Sequence, residues 1–251
     1  MPPSYDIVAG RIATWSLEAH VVDHCNLRCQ NCCTRSPELP ERFTDPAAFA
    51  ADLARAARVL APAVFKLTGG EPLLHPRLAE LLRIVRASGI APVIGLTTNG
   101  HLAPRVDPEI WDLVDRVTLS HYSSAPLPTA TLAFLESRPK RLQVKWIDRF
   151  QVLDGTGDTE AIFAGCWLKV RCHLVHAGRF YMCTRPPHLD SPEDGLVLDD
   201  APDLLLRAHA YLTRAQPLAA CARCLGASGQ LVPHTQLRRK GSGLAAPPTS
   251  P

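Results

Sequence analysis

The 251-residue sequence lacks the features that mark nucleic-acid-binding, membrane-spanning and secreted chains. Its formal net charge is only +3, and its densest basic segment is a short "LRRK" near the end, so charge does not favour a nucleic-acid partner. No apolar run reaches the ~18 residues that a membrane-spanning helix needs. The first residues lack the charged start and apolar stretch of a secretory signal. We therefore expect a cytoplasmic protein with neither a membrane nor a nucleic-acid partner.

Cysteine, by contrast, is abundant, with nine residues in the chain. Because thiols stay reduced in the cytoplasm, this number indicates metal or redox chemistry rather than disulfides. In "CNLRCQNCC", Cys25, Cys29 and Cys32 have the spacing C-x3-C-x2-C, and Cys33 follows directly. Three thiolates at this spacing can bind one face of a 4Fe–4S cluster and leave one iron open. A zinc site and buried structural thiols are the alternatives, although zinc usually takes paired C-x2-C segments.

Strand-like and helical segments alternate through the first 150 residues. The predicted strands are "ATWSLEAHVV", "AVFKLT", "PVIGLTT", "RVTLSHY" and "RLQVKWI". The helices between them include one with Asp45 as its N-cap and one that begins at Pro76 and ends at Gly89. This alternation predicts βαβ units and a parallel sheet. Since five units are too few for a complete eight-fold barrel, we expect an α/β fold with a partial (β/α) TIM-like barrel of five to six parallel strands.

The pattern changes after about residue 150. The segment "LKVRCHLVHAGRFYMC" predicts a β-hairpin that turns at Ala177-Gly178, and "APDLLLRAHAYLTRA" predicts a helix. The final Gly/Ser/Pro-rich stretch predicts disorder. We therefore expect a barrel over residues 1–150, a small hairpin-plus-helix subdomain over 151–230 and a flexible tail over 231–251.

The first cysteine loop resembles that of radical S-adenosylmethionine (SAM) enzymes, which have C-x3-C-x2-C after the first strand of a barrel. The aromatic residue usual before the third cysteine is replaced here by Asn31, a change that affects packing rather than ligation. A second match is "GGEP" at the end of the next strand. In that family this motif binds the amino end of SAM, whose amine and carboxylate chelate the open iron. The resemblance implies that the cluster ligands are Cys25, Cys29 and Cys32.

The resemblance also implies SAM contacts at strand ends, where barrel enzymes place their active sites. The segment "LTTNG" ends the third predicted strand, and "LSHY" ends the fourth. Ordinary capping of strand ends is the alternative for their polar side chains. The candidate SAM-binding residues are Gly69, Gly70, Glu71, Pro72, Thr98, Asn99 and Ser120.

A second group of cysteines resembles the C-x9–15-G-x4-C hairpin and closing C-x2-C of SPASM and twitch subdomains, which follow some radical SAM barrels. Because no cysteine follows Cys224, the resemblance implies the shorter twitch version with one auxiliary 4Fe–4S cluster. A structural zinc site is the alternative. The implied ligands are Cys166, Cys183, Cys221 and Cys224. Cys172 and Cys33 are then spare thiols.

The resemblance implies that the first cluster cleaves SAM to a 5′-deoxyadenosyl radical, which abstracts hydrogen from a small polar substrate. Our first hypothesis is a radical SAM oxidoreductase similar to the aminocyclitol dehydrogenases of aminoglycoside antibiotic biosynthesis. It would oxidise a sugar, aminocyclitol or nucleoside to a ketone through the auxiliary cluster, with flavodoxin or ferredoxin as reductant. The hydroxyl proton needs an acceptor. The candidates at strand ends are His121, Tyr122, Lys145, Asp148 and Arg149, with Arg149 and His121 preferred.

Three other functions stay open at this point. An epimerase would quench the substrate radical with a thiol, for which Cys172 and Cys33 are candidates. A peptide-modifying enzyme would usually have a recognition domain before the barrel, whereas only a short segment precedes the first predicted strand. The third alternative is a non-enzymatic regulator that binds iron or zinc.

Overall fold

The computed structural model describes residues 4–138 and 141–237. Within these ranges the chain forms thirteen strands and seven α-helices. The strands are β1 (Ile7–Val8), β2 (Arg11–Thr14), β3 (Leu17–Val22), β4 (Leu60–Pro62), β5 (Phe65–Gly69), β6 (Ile94–Thr98), β7 (Arg116–Tyr122), β8 (Arg141–Ile147), β9 (Arg149–Gln151), β10 (His173–His176), β11 (Arg179–Tyr181), β12 (Leu196–Val197) and β13 (Leu231–Pro233). The helices are α1 (Pro46–Val59), α2 (Leu78–Ser88), α3 (Glu109–Leu113), α4 (Thr129–Glu136), α5 (Thr159–Gly165), α6 (Leu168–Arg171) and α7 (Leu204–Leu212). None of the helices in the described part of the chain has the length and apolarity needed to cross a membrane.

An eight-stranded sheet forms the centre of the molecule, in the order β12-β11-β10-β3-β5-β6-β7-β8. All neighbouring pairs from β10 to β8 are parallel. Six adjacent strands therefore run in one direction, which confirms the predicted partial barrel. The two smaller sheets are β1-β2-β4 and β9-β13.

The sixth parallel strand does not come from the first 150 residues. Strand β10 pairs with the edge of the barrel, so that Leu174 lies opposite Glu18. The sequence assigned this hairpin to a separate subdomain, whereas its first strand extends the barrel sheet. The reason is that His173, Leu174 and Val175 are buried and β10 covers the otherwise unpaired edge of β3.

Local signals place the helices that pack on the sheet. The Asp45 carboxylate accepts hydrogen bonds from the Ala47 and Ala48 amides at the start of α1, as an N-cap does. Helix α1 buries Phe49 and Leu53 among the residues of the core. Gly89 ends α2 in the left-handed conformation, with φ 59°, as a glycine C-cap does. Helix α2 begins at Leu78, two residues after the predicted start.

The predicted C-terminal hairpin is shorter than its sequence pattern. Ala177 and Gly178 both have positive φ, 48° and 75°, which is the geometry of a type I′ turn. The residues before it, Leu168–Arg171, form α6 rather than a strand. This turn of helix brings Lys169 onto the Phe163 ring, with Nζ 3.9 Å from the ring centroid, a contact between helices that strand alternation could not reveal.

The C-terminal strap, defined here as residues 231–237, was assigned to a flexible tail. In the structure β13 pairs antiparallel with β9. The Gln30 amide donates to the Thr235 carbonyl at 2.9 Å, and the Leu237 amide donates to the Arg28 carbonyl at 2.7 Å. The strap is thus fixed against the first cysteine loop by backbone hydrogen bonds. The rest of the predicted tail lies outside the described residues.

Candidate active site

A cavity of about 200 Å³ opens at the carboxyl ends of β3, β5, β6 and β7. Parallel barrels place their active sites at this end. Its wall contains all four cysteines of the first loop and five of the seven candidate SAM-binding residues. These wall residues are Cys25, Cys29, Cys32, Cys33, Gly69, Gly70, Thr98, Asn99 and Ser120.

The three predicted cluster cysteines line this cavity, and two of their sulfurs have N–H donors within hydrogen-bond distance. The Leu27 amide lies 3.4 Å from Cys25 Sγ, and Gln236 Nε2 lies 3.2 Å from Cys29 Sγ. Burial raises the pKa of Cys25 to about 12 and that of Cys29 to about 11. Buried thiolates are therefore unfavourable here without a cation, whereas iron would supply the compensating charge. Three thiols in one cavity wall, two of them with amide donors, are the donor set of a 4Fe–4S cluster ligated by three cysteines.

Asn31 replaces the aromatic residue that the resembled family usually has, and the structure gives a backbone reason for the asparagine. Its φ is 59°, in the left-handed region where Asn is much more frequent than bulky residues. The side chain is exposed. Asn31 therefore turns the chain between Cys29 and Cys32.

Gly69 and Gly70 let two backbone segments approach closely. A Cβ on Gly70 would lie 1.8 Å from the His24 carbonyl oxygen, and one on Gly69 would lie 2.4 Å from that of Val22. The Gly70 amide donates to the Val22 carbonyl at 2.7 Å. Because Gly69 and Gly70 have no side chains, the chain's own backbone directly before Cys25 can lie against them. Both glycines also line the cavity.

Glu71 lies behind the cavity wall, with 1% of its surface exposed. Its carboxylate accepts hydrogen bonds from the Leu73 amide at 3.0 Å, from Thr98 Oγ1 at 2.6 Å and from the Asn99 amide at 2.8 Å. Burial raises its pKa to about 7. Glu71 therefore positions the end of β6, and neither it nor Pro72, which starts a 3-10 turn, lies in the cavity wall.

Asn99 connects the end of β6 to the first cysteine loop. Its Nδ2 donates to Asn26 Oδ1 at 2.7 Å and lies 3.6 Å from Cys25 Sγ. Together with Glu71, it fixes two strand ends relative to the cysteines.

The preferred catalytic residues, His121 and Arg149, do not line this cavity. Successive side chains of a strand point to opposite faces, and on β7 the cavity side belongs to Ser120 and Tyr122. His121 packs instead on the Trp146 ring, with 4.2 Å between ring centroids. Arg149 is exposed on β9, opposite Pro233. Alternation along β7 could have excluded His121 once Ser120 was placed inside.

The spare thiols differ in position. Cys33 lines the cavity, whereas Cys172 does not. Burial raises the pKa of Cys172 to about 12.

Sequence reasoning missed several polar residues of the cavity wall, among them Glu18, His20 and Thr184. Glu18 forms an ion pair with Lys66 on the neighbouring strand. His20 Nδ1 lies 2.9 Å from His188 Nε2, and burial lowers the pKa of His20 well below its usual value. The signal was the spacing of Glu18 and His20, since polar residues two apart on a barrel strand share one face.

A second pocket, of about 20 Å³, is lined by all four predicted auxiliary ligands, Cys166, Cys183, Cys221 and Cys224. Its other walls are mostly apolar, from residues such as Ile162, Phe163 and Leu218. The Gly226 amide donates to Cys224 Sγ at 3.3 Å. Four thiols around one pocket fit a fully thiolate-ligated cluster. Among the described residues, no three or more His, Cys, Asp or Glu side chains are placed to bind a single metal ion.

The two cysteine groups are separated by a single stretch of backbone. Thr184 lines the cavity, while its neighbours Cys183 and Arg185 line the second pocket. Arg185 is 3% exposed and donates to the Cys33 carbonyl and to the Asp154 carboxylate. Arg185 thus contacts the first cysteine loop and lines the pocket of the second cysteine group.

Residues 20–143 match the family model of the Radical SAM superfamily. This segment is a radical SAM domain. Its curated relatives include GTP 3′,8-cyclases of Microcystis aeruginosa, 33% identical over 115 residues, and of Acaryochloris marina, 33% identical over 138 residues. These alignments cover 44% and 52% of this chain but only 35% and 41% of the relatives, so the chain spans less than half of their length.

The fold of the radical SAM domain and the following hairpin also occurs in a solved structure. The crystal structure of BtrN in complex with AdoMet and 2-DOIA matches 80% of this chain and 82% of its own, with a TM-score of 0.52 and 12% identity. At this identity the likeness shows a common fold.

Proposed function

We propose that this chain is a radical SAM oxidoreductase that oxidises a carbon of a small polar substrate and passes an electron to an auxiliary cluster. A sugar, an aminocyclitol or a nucleoside is the proposed substrate class. The observation that supports the proposal is the backbone Cys183-Thr184-Arg185, which joins the cavity to the second cysteine pocket.

We assign a role to each group of residues around the cavity. Cys25, Cys29 and Cys32 would ligate the first cluster, and a cluster with SAM supplies, when bound, a radical that takes hydrogen from an unactivated carbon. Gly69, Gly70, Thr98, Asn99 and Ser120 would contact SAM. Glu71 would act through its hydrogen bonds to Thr98 and Asn99.

The polar wall formed by Glu18, His20 and Tyr122 would bind the substrate. Oxidation of an alcohol carbon releases the hydroxyl proton, which needs an acceptor within hydrogen-bond distance. Glu18 and His20 face the cavity, whereas Arg149 and His121 do not. We therefore place the acceptor on β3, and the His20–His188 contact offers a route for the proton away from the cavity.

Electron removal would use the second pocket. Cys166, Cys183, Cys221 and Cys224 would ligate the auxiliary cluster, separated from the cavity by one backbone layer. Flavodoxin or ferredoxin is the proposed reductant of the first cluster.

An epimerase is the second candidate, because Cys33 places a thiol in the cavity wall. In that reaction the thiol would return a hydrogen atom to the opposite face of the substrate carbon. The position of Cys172 outside the wall favours Cys33 as the donor.

Anaerobic reconstitution tests the proposal. We expect two 4Fe–4S clusters per chain, falling to one in the triple variant Cys25→Ala/Cys29→Ala/Cys32→Ala and to one in Cys183→Ala/Cys221→Ala/Cys224→Ala. The same protein with SAM and reductant is then incubated with aminocyclitols, sugars, nucleosides and GTP. A product lighter by two hydrogens supports the dehydrogenase, whereas one deuterium gained from deuterated water at unchanged composition supports the epimerase.

Several outcomes would contradict the proposal. Stoichiometric zinc in place of iron, or no cleavage of SAM, would exclude radical chemistry. Because the curated relatives are named GTP 3′,8-cyclase, a cyclised product formed from GTP alone would exclude the oxidoreductase assignment.

A further inference from the structure

The C-terminal strap pairs with the backbone of the first cysteine loop, about 200 residues earlier in the chain. Gln30 donates to the Thr235 carbonyl, and Leu237 donates to the Arg28 carbonyl. Between these two bonds, Gln236 lies opposite Cys29 as an isolated β-bridge. The pairing therefore determines which strap side chain faces the cysteine.

The Gln236 side chain uses both ends of its amide at this position. Its Oε1 accepts from the Arg28 amide at 2.8 Å. Its Nε2 donates to Cys29 Sγ at 3.2 Å and lies 3.3 Å from Ser124 Oγ. Because Oε1 is held by a backbone amide, the NH₂ end is directed at the sulfur. Cys29 is the most buried of the three cysteines, with 7% of its surface exposed.

The strap is anchored at His234, two residues before Gln236. His234 is 4% exposed, and its ring stacks on Tyr122, with 4.6 Å between centroids and 15° between planes. Its amide donates to the Asp148 carbonyl at 2.8 Å, and its Nδ1 lies 2.8 Å from Ser124 Oγ. The hydrogen-bond donor to Cys29 is therefore held in place by contacts that lie outside the cysteine loop.

We propose that Gln236 is a positioning residue that raises the reduction potential of the cluster ligated by Cys29. A reduced cluster has more negative charge on its sulfurs, so a hydrogen bond to a ligand sulfur stabilises the reduced state more than the oxidised state. The inference rests on the proposed ligation by Cys29 and holds whichever substrate reaction the chain performs.

Two substitutions separate the hydrogen bond from the fit of the strap. Gln236→Met keeps the approximate length of the side chain but has no N–H group. Gln236→Glu keeps an acceptor for the Arg28 amide and removes the donor to Cys29. Thr235→Val is the matched control, because the Thr235 hydroxyl bonds Gln30 Oε1 at 2.8 Å on the same strap and not a sulfur.

The measurement is a redox titration of the reconstituted full-length chain, followed by electron paramagnetic resonance. The signal that changes when SAM is added identifies the first cluster. We expect about a tenfold loss in the one-electron reduction equilibrium, equal to ~59 mV, for Gln236→Met, and a larger fall for Gln236→Glu, whose carboxylate adds negative charge beside Cys29 Sγ. Thr235→Val should keep the wild-type potential. Iron content per chain shows that each variant retains its clusters.

The possible results distinguish the role of Gln236 from the ligation of the cluster by Cys29. Unchanged potentials in both Gln236 variants, or an equal fall in Thr235→Val, would overturn the role of Gln236. A wild-type chain with no SAM-sensitive signal would instead overturn ligation by Cys29, and with it the proposed function.

Discussion

Glu71 is a buried carboxyl group at the point where the ends of β5 and β6 meet. Three donors, two backbone amides and the Thr98 hydroxyl, hydrogen-bond to its oxygens, yet burial outweighs them and raises its pKa from 4.5 to about 7. The folded chain therefore keeps a proton at Glu71 over a pH range in which the unfolded chain has lost it.

This difference predicts how stability depends on pH. We expect Glu71 to make the free energy of unfolding of the metal-free chain fall as the pH rises from about 4.5 to 7, because the folded state binds more protons at this group there. Buried histidines such as His20 and His188, whose pKa burial lowers, act in the opposite direction, so the contribution of Glu71 is the difference between the wild type and Glu71→Gln. At pH values above both the unfolded and the folded pKa of Glu71, the total loss in the free energy of unfolding from this group is on the order of 3 kcal/mol. Glu71→Gln should remove this contribution, since an amide does not titrate, so the difference in the free energy of unfolding between the two proteins should change with pH. Urea unfolding at pH 5, 6, 7 and 8 measures it.

The matched control for Glu71 is Glu80→Gln. Glu80 is a half-exposed residue on α2 that pairs with Arg77, and its substitution should leave the wild-type slope. A Glu71→Gln variant that keeps the full slope would show that another group titrates in this range.

At the scale of elements, the sequence predicted the features that depend on neighbouring residues. The N-cap Asp45, the C-cap Gly89 and the turn at Ala177-Gly178 all follow from local backbone chemistry. Five of the six parallel strands follow from the alternation of strands and helices in the first 150 residues. The grouping of the cysteines was predicted from their resemblance to radical SAM and twitch motifs.

Features set by distant pairing could not be predicted in this way. The strap contacts residues 28–30 across about 200 positions, and the strap itself has no periodic pattern to indicate that partner. Strand β10 joins the barrel because it covers the edge of β3, which a local pattern does not record. The position of Arg149 depends on the β9–β13 pairing and could not be predicted from a local pattern either.

The hairpin β10–β11 offers a prediction at the element scale. Ala177 has φ 48°, a left-handed conformation that costs a non-glycine residue roughly 1 kcal/mol and that Asn tolerates better. Ala177→Asn creates the Asn-Gly pair that type I′ turns prefer. We expect a rise in Tm of about 2–4 °C in thermal unfolding of the metal-free chain.

The comparison for this variant is Gly178→Ala. Gly178 has φ 75°, so alanine should lower Tm by a similar amount. If Ala177→Asn lowers Tm as well, backbone strain at Ala177 does not limit the stability of the hairpin.

At the scale of the whole molecule, two cysteine groups from distant parts of the chain share a wall. The first comes from a loop after β3, and the second from segments between the end of α5 and Cys224, which directly follows the 3-10 helix Ala219–Arg223. Strand β10 makes this possible, because its pairing with β3 brings the hairpin and Cys183 next to the first loop. The fold thus places the proposed source of the radical and the proposed electron acceptor on two sides of one backbone segment.

Arg185 is the side chain that connects these two sides, and its loss should separate them. Arg185→Met removes the donors to the Cys33 carbonyl and to Asp154, which frees the 183–185 backbone that forms the shared wall. If the enzyme oxidises its substrate as proposed, each product should then consume several-fold more SAM, because electron removal becomes slower than loss of the radical.

The measurement is the ratio of 5′-deoxyadenosine to oxidised product, with iron counted per chain. Asp154→Asn is the control, since Asp154 is largely exposed and the Cys33 contact stays intact, so its ratio should equal that of the wild type. A wild-type ratio in Arg185→Met with both clusters present would mean that the shared wall does not control electron removal.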